Sequence, residues 1–284
     1  MEGKRVFSIG EEWLYFKIYL RSYFADKIII KISDFLSDKI ETGKIVKWFF
    51  IRYYDPDFHI RVRLFVPNPN DISMIIQEIN ALLEVEMNKR ILQISLDAYI
   101  REIERYDPKC IELMEKLFFY DTVTVIPLLR KIEEGELSED DRWLYGVVAL
   151  DRTLANFGLN LSEKLTFVSN INSSFSLEFK KDKTLNKQLD KTYREYENLI
   201  TENMNDTVFF SEVLSKEAEN KIRTISEILS KDRKKELTQN IENIMSSYIH
   251  MNCNRLFRVE QRKQEYILYD FLTRFYKKER YKKV

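Results

Sequence analysis

"KWFFIRYYDPDFHIRVRLFV", residues 47–66, is the stretch that decides the fold. Two runs rich in aromatic and β-branched residues flank a polar Asp-Pro-Asp segment, which reads as a hairpin. With strands over 47–54 and 59–66 and "DPDF" as a four-residue loop, alternation puts His59, Arg61, Arg63 and Phe65 on one face. Ile60, Val62, Leu64 and Val66 take the other. On the first strand Trp48, Phe50, Arg52 and Tyr54 share a face. That loop length sets Tyr54 across from His59 and Arg52 across from Arg61, and two facing arginines repel. No local carboxylate offsets the repulsion, because Asp55 and Asp57 lie in the turn. Arginine's rigid fork suits such a face to a carboxylate or phosphate ligand. A solvated face paired with glutamates of a covering helix is the competing reading.

Outward from the hairpin, "WLYFKIYL" (13–20) reads as a strand. Residues 22–40 read as a helix stopped at Gly43. Residues 70–88 form an amphipathic helix with Asn70 or Asp71 as its N-cap, and 90–100 a fourth strand. The order β-α-β-β-α-β implies a split βαβ sheet with helices on one side. Beyond residue 107 the pattern turns helical, over 108–133, 139–157, 162–180, 184–203, 207–229, 232–256 and 259–277. The expected class is α+β: a small mixed or antiparallel sheet from the N-terminal third, packed with a mainly helical C-terminal part. One domain over 1–284 is expected, with a mixed part to 107 and a helical part from 108. Only 6 glycines and 5 prolines are present, which disfavours a loop-rich all-β architecture.

Lys+Arg and Asp+Glu both total 46, so no global charge draws the chain to nucleic acid, and any cationic site is local. Cys110 and Cys253 form no CxxC pair and read as small core residues in a reducing compartment. The N-terminus lacks the apolar core of a signal peptide, and no apolar stretch approaches the ~20 residues needed to span a bilayer. A cytoplasmic protein is expected. The basic end "RFYKKERYKKV" reads as a frayed, solvated terminus. The chain has 2 histidines, and no metal-ligand spacing, GxGxxG, P-loop or GxSxG occurs. In "NIMSSYIHMNCNRLF" (243–257) His250 and Asn254 lie one helical turn apart on a shared face. A lone helical histidine is commonly structural, but its pKa near neutrality also suits acid–base work.

Three stretches, "WFFIRYYDPDFHIRVRL", "YIREIERYDP" and "SYIHMNCNRLF", together resemble the C-terminal elimination domain of lantibiotic dehydratases. Standing alone, that domain is known as the thiopeptide-type bacteriocin biosynthesis domain. The likeness runs from Trp13 to about Phe257. In that family a separate domain or protein uses glutamyl-tRNA to esterify serine or threonine of a precursor peptide. The elimination domain then expels glutamate and leaves dehydroalanine or dehydrobutyrine. The resemblance implies an α+β fold and catalytic roles for Arg61, Arg63, Arg105 and His250. Arg52, His59, Tyr54, Asn254 and Arg255 are the expected substrate-binding residues. One departure stands out: the family commonly shows "RYGG" where this chain has "RYDP" (105–108), and losing two glycines restricts the turn that follows Arg105.

The chemistry implied is removal of a weakly acidic α-proton with departure of a carboxylate. It needs a base, here His250, and cations near the developing negative charge, here Arg61, Arg63 and Arg105. No cofactor and no metal is required. The implied partners are the modified precursor peptide and a glutamyl-tRNA-dependent glutamylating protein, with no direct nucleic-acid contact. A transient complex, a multi-subunit synthetase and a homo-oligomer are all open. Two rivals remain: a pyridine synthase that joins dehydroalanines into a thiopeptide macrocycle, and a non-enzymatic subunit that presents the peptide.

Overall fold

The computed structural model describes residues 4–87, 89–205 and 217–282. Four antiparallel strands form the main sheet: β2 (Trp13–Leu20), β3 (Lys47–Tyr54), β4 (Phe58–Phe65) and β5 (Ile91–Asp97), in the order β3-β4-β2-β5. α1 (Ala25–Glu41) links β2 to β3, and α2 (Pro69–Glu84) links β4 to β5. This is the expected split βαβ order, and the α+β class holds. β1 (Val6–Phe7) and β6 (Tyr99–Ile100) add a small antiparallel pair.

The local signals act largely as read. α1 stops where Gly43 takes φ 73°, a geometry glycine adopts without steric cost. The α2 cap is corrected: Asn68 accepts from the Asn70 N–H at 3.2 Å, and Pro69 occupies the first helical position, where its missing N–H costs nothing.

The remaining helices are α3 (Ile103–Tyr106), α4 (Ile111–Glu133), α5 (Glu139–Asn156), α6 (Leu161–Glu178), α7 (Lys183–Asn205), α8 (Ala218–Arg233), α9 (Ile241–Leu256) and α10 (Gln261–Lys282). The start of the helix expected over 207–229 lies outside the described residues. The helix expected over 232–256 is interrupted: Lys235 takes a positive φ, and Asn240 caps a fresh start by accepting from the Glu242 N–H at 2.7 Å. The C-terminal segment is helical through Lys282 rather than frayed, with Phe275 and Tyr276 buried.

Two units emerge, Met1–Leu137 with Ser226–Val259, and Ser138–Ile225 with Glu260–Val284. In the second, α10 packs on α5, α6 and α7. Its core includes Trp143 edge-on to Phe271 and Tyr196, and buried Asp270 held by Lys181 and Arg274. All the expected site residues belong to the first unit. There one sheet face is sealed: Leu14, Phe16, Ile18, Ile60, Val62, Leu64, Trp48 and Phe50 are almost wholly buried. α4 runs beside edge strand β3, and α9 packs on β3, α3 and α4. Cys110 and Cys253 are free and buried, and burial pushes the Cys110 thiol up to about 11. Among the described residues, no helix is long and apolar enough to cross a membrane.

Candidate active site

The hairpin register differs from expectation by one residue. Tyr54 pairs with Phe58, so the loop is Asp55–Asp57, and His59 faces Tyr53, Arg61 faces Ile51 and Arg63 faces Phe49. A slip of one residue exchanges the faces of a strand. Arg52 therefore lies opposite Ile60, on the face away from Arg61 and Arg63, and the expected arginine clash does not exist. Arg52 is instead a buried strut. It pairs with Asp26 of α1 at 2.6 Å and donates from Nε and Nη2 to the Arg255 carbonyl at 3.2 and 3.0 Å. Asn254 clamps the main chain of the same residue, accepting from the Arg52 N–H and donating to the Arg52 carbonyl, both at 2.8 Å. This pair closes the outer edge of β3 with α9. Tyr54 stands at the hairpin tip, largely exposed.

The other sheet face carries the cations in cross-strand rows. Asp97, Tyr15, Arg63 and Phe49 form one row; Ser95, Lys17, Arg61 and Ile51 the next; Gln93, Tyr19, His59 and Tyr53 the third. Arg63 is nearly buried. Its guanidinium carbon lies 4.7 Å from the Tyr15 ring centre, 4.9 Å from Tyr99 and 5.5 Å from Phe49. Such a cage stabilises the cation through ring quadrupoles but offers it no acceptor. Its buried Nε donates to nothing among the described residues.

Arg255 of α9 reaches the same place. It is fully buried over the Phe118 ring at 4.7 Å, and Nη1 donates to the Met251 carbonyl at 3.0 Å. Its Nε and Nη2 have no partner among the described residues. Burial pulls its pKa down, Asp121 opposes that, and the like charge of Arg63 adds to it. Both arginines line a pocket of about 30 Å³, room for about two waters or one carboxylate head. Tyr106 lines it too, and burial, with help from Glu102, pushes its phenol up to about 12, so it stays a neutral hydrogen-bond donor. Glu102 also borders the pocket but is paired with Arg105 at 3.0 Å. Two desolvated guanidiniums with idle N–H groups are chemically suited to take up an anion.

Arg61 sits one row away and is half-buried. It lies over the Tyr53 ring at 3.4 Å, and Nε donates to His59 Nε2 at 3.1 Å. His59 Nδ1 is then the protonated nitrogen and donates to the Asp57 carbonyl at 2.9 Å. Burial first, then Arg61 and Lys17, depress the His59 pKa, against the Asp57 bond. His59 thus acts as a neutral prop that aims Arg61. Lys17 beside it is paired with Asp97.

A family model described as "Lantibiotic biosynthesis dehydratase C-term" matches residues 13–276. The chain belongs to this family. Subtilin biosynthesis protein SpaB of Bacillus subtilis is 29% identical over 266 residues, covering 91% of this chain and 25% of SpaB. The chain spans about a quarter of the length of the curated relatives it matches. Its fold is shared with the tRNA dependent lantibiotic dehydratase MibB from Microbispora sp. 107891, with a TM-score of 0.70 at 20% identity, covering 95% of this chain and 29% of MibB. The pyridine synthase TbtD from thiomuracin biosynthesis gives a TM-score of 0.59 at 14% identity, covering 94% of this chain and 99% of TbtD.

Within this family member, Arg63 and Arg255 line the same pocket, and Arg61 lies one row from Arg63 on its face of the sheet. Arg105 is half-exposed in its pair with Glu102, one residue before Tyr106. His250 is half-buried on α9, next in sequence to Met251, which lines the pocket. Arg52 and Asn254 are tied to each other and Tyr54 points to solvent, so the structure does not bring them to the pocket. The RYDP turn keeps a glycine-like geometry despite losing its glycines. Asp107 takes φ 71° and ψ 137°, a region that costs other residues about 1–3 kcal/mol, and hydrogen bonds to its carboxylate offset the strain. Sequence reasoning missed the rings around the arginines, Tyr15, Phe49 and Phe118. Strand order and α4 supply them, and no local motif signals them.

Proposed function

We propose that this chain is the glutamate-eliminating component of a lantibiotic-type peptide dehydratase. It acts on glutamylated serine or threonine of a ribosomally made precursor peptide. The observation that carries the reading is the pair Arg63 and Arg255, two buried guanidiniums that each keep an N–H group without a hydrogen-bond acceptor among the described residues and that line one pocket of carboxylate size. In the reaction His250 removes the α-proton, the Cα–H electron pair forms the Cα=Cβ bond, and the Cβ–O bond breaks. Glutamate leaves as an anion, its negative charge met by Arg63, Arg255 and Arg61, and His250 returns its proton to solvent. Tyr106 donates a hydrogen bond to the bound carboxylate. Arg105, beside it, balances Glu102 so that this carboxylate does not repel the ligand. The ester itself comes from a glutamylating partner that uses glutamyl-tRNA.

Mass spectrometry of a chemically glutamylated precursor peptide incubated with this protein alone tests the reading. The expected product is lighter than the unmodified peptide by one water for each ester removed. Intact ester together with cyclisation of a supplied dehydroalanine peptide would replace elimination by pyridine synthesis. Intact ester with peptide binding alone would leave a presenting subunit.

A further inference from the structure

Three elements that line the pocket meet at one residue. α3 carries Tyr106, α4 carries Ile111 and Phe118, and α9 carries Met251 and Arg255. Asp107 follows α3 directly, and its carbonyl accepts from the Cys110 and Ile111 N–H groups, both at 3.0 Å, which opens α4. Its carboxylate reaches 131 residues along the chain to the segment that enters α9. Oδ2 accepts from the Thr238 N–H at 2.6 Å, the Thr238 hydroxyl at 2.7 Å and the Gln239 N–H at 3.1 Å. Oδ1 accepts from the Lys109 N–H at 2.9 Å. Gln239 returns a second tie, donating from Nε2 to the Glu104 carbonyl at 2.6 Å.

Asp107 is wholly buried and holds a backbone conformation essentially reserved for glycine. A residue kept there against its own preference is over-determined by its surroundings, and here those surroundings are the first turn of α4 and the segment that enters α9, two of the elements that line the pocket. We propose that Asp107 is a positioning residue that fixes α9, with His250 and Arg255, against Tyr106 and the Arg63 face. The proposal rests on the elimination reading for its consequence in rate, but the clamp itself is independent of it. Thr238 is its counterpart, supplying two of the four donors. The carboxylate is held below the usual range: burial alone would raise it, and the Thr238, Lys109 and Gln239 bonds outweigh burial. It is therefore an anion, with charge-assisted bonds at neutral pH.

Asp107→Gly separates positioning from folding, because glycine accepts this backbone geometry while every side-chain bond is lost. Two readouts are taken on the full chain well below its melting temperature. In steady-state elimination from the glutamylated peptide, kcat falls about 10- to 100-fold while KM moves far less, and Asp107→Asn, which keeps an acceptor, recovers part of the loss. In amide hydrogen exchange, Thr238 and Gln239 exchange at least about tenfold faster, and the loss of protection extends to residues 250–256. Unchanged kcat in Asp107→Gly would overturn the proposal even with a lowered melting point, because the clamp would then be structural only. If the wild-type chain eliminates no glutamate, the proposed function fails and exchange decides alone. Faster exchange across 250–256 then supports the clamp, and faster exchange confined to 238–239 overturns it.

Discussion

Replacing Arg255 by methionine should separate stability from activity. The substitution removes the hydrogen bond to the Met251 carbonyl and the contact over Phe118. Those losses come to roughly 1.5–3 kcal/mol for a charged hydrogen bond and about 2 kcal/mol for a desolvated cation–π contact. The attraction of Asp121 is lost as well and outweighs the repulsion from Arg63. What stands against these losses is the penalty of keeping a guanidinium out of water, several kcal/mol after relaxation. Methionine fills the space with an unbranched apolar chain. The balance is a stability unchanged or raised by about 0–2 kcal/mol, a melting temperature higher by no more than roughly 2–6 °C. The main-chain carbonyl of residue 255 still receives Arg52. Elimination should fall at least about 10²-fold, as on loss of an oxyanion donor. Glutamate should raise the melting temperature of the wild type by mass action and leave the variant unmoved. The assay is a thermal melt with and without glutamate, beside mass-spectrometric rates. A destabilisation of about 3–5 kcal/mol would refute the reasoning, since that is the cost of breaking a buried pair. Arg255 would then be neutralised within the protein rather than by a ligand.

Arg52→Met should behave in the opposite way: it strips Asp26 of its 2.6 Å partner and costs about 3–5 kcal/mol in denaturant unfolding, with turnover per folded molecule largely retained. Asn254→Ala leaves the Arg52 N–H and carbonyl without their clamp, and should cost about 2 kcal/mol by the same measurement. His59 has a depressed pKa in the fold, so the unfolded chain binds its proton first. The stability from neutral His59 is fully present above about 6.5 and is lost progressively as pH falls from there through the folded pKa. A proton NMR titration should place His59 below that reference value, and His59→Gln should flatten the acid limb of the unfolding curve.

The element order was legible because turns and hydrophobic periodicity are local. The hairpin register was not, and the reason lies in β3. Trp48, Phe49, Phe50 and Ile51 are all buried, so both faces of the strand are apolar and alternation cannot choose between registers. Only the turn length decides, and "DPDF" is compatible with three or four loop residues. The motif residues on β4 kept their shared face because that strand's own alternation is clear. The pairing of Arg63 with Arg255 spans 192 positions and depends on α9 lying along β3, which no spacing rule encodes. Nor could composition say that Asp107 would adopt a glycine geometry, because its compensation comes from Thr238 and Gln239, far along the chain.

The most direct test of the carboxylate pocket is side-chain NMR of ¹⁵N-arginine-labelled protein titrated with glutamate, with Nε–H signals assigned by single substitution. The account predicts that the signals of Arg63 and Arg255 shift together and saturate together, with Arg61 following as the neighbouring cation. Shifts confined to exposed arginines such as Arg105, with Arg63 and Arg255 unmoved, would contradict it.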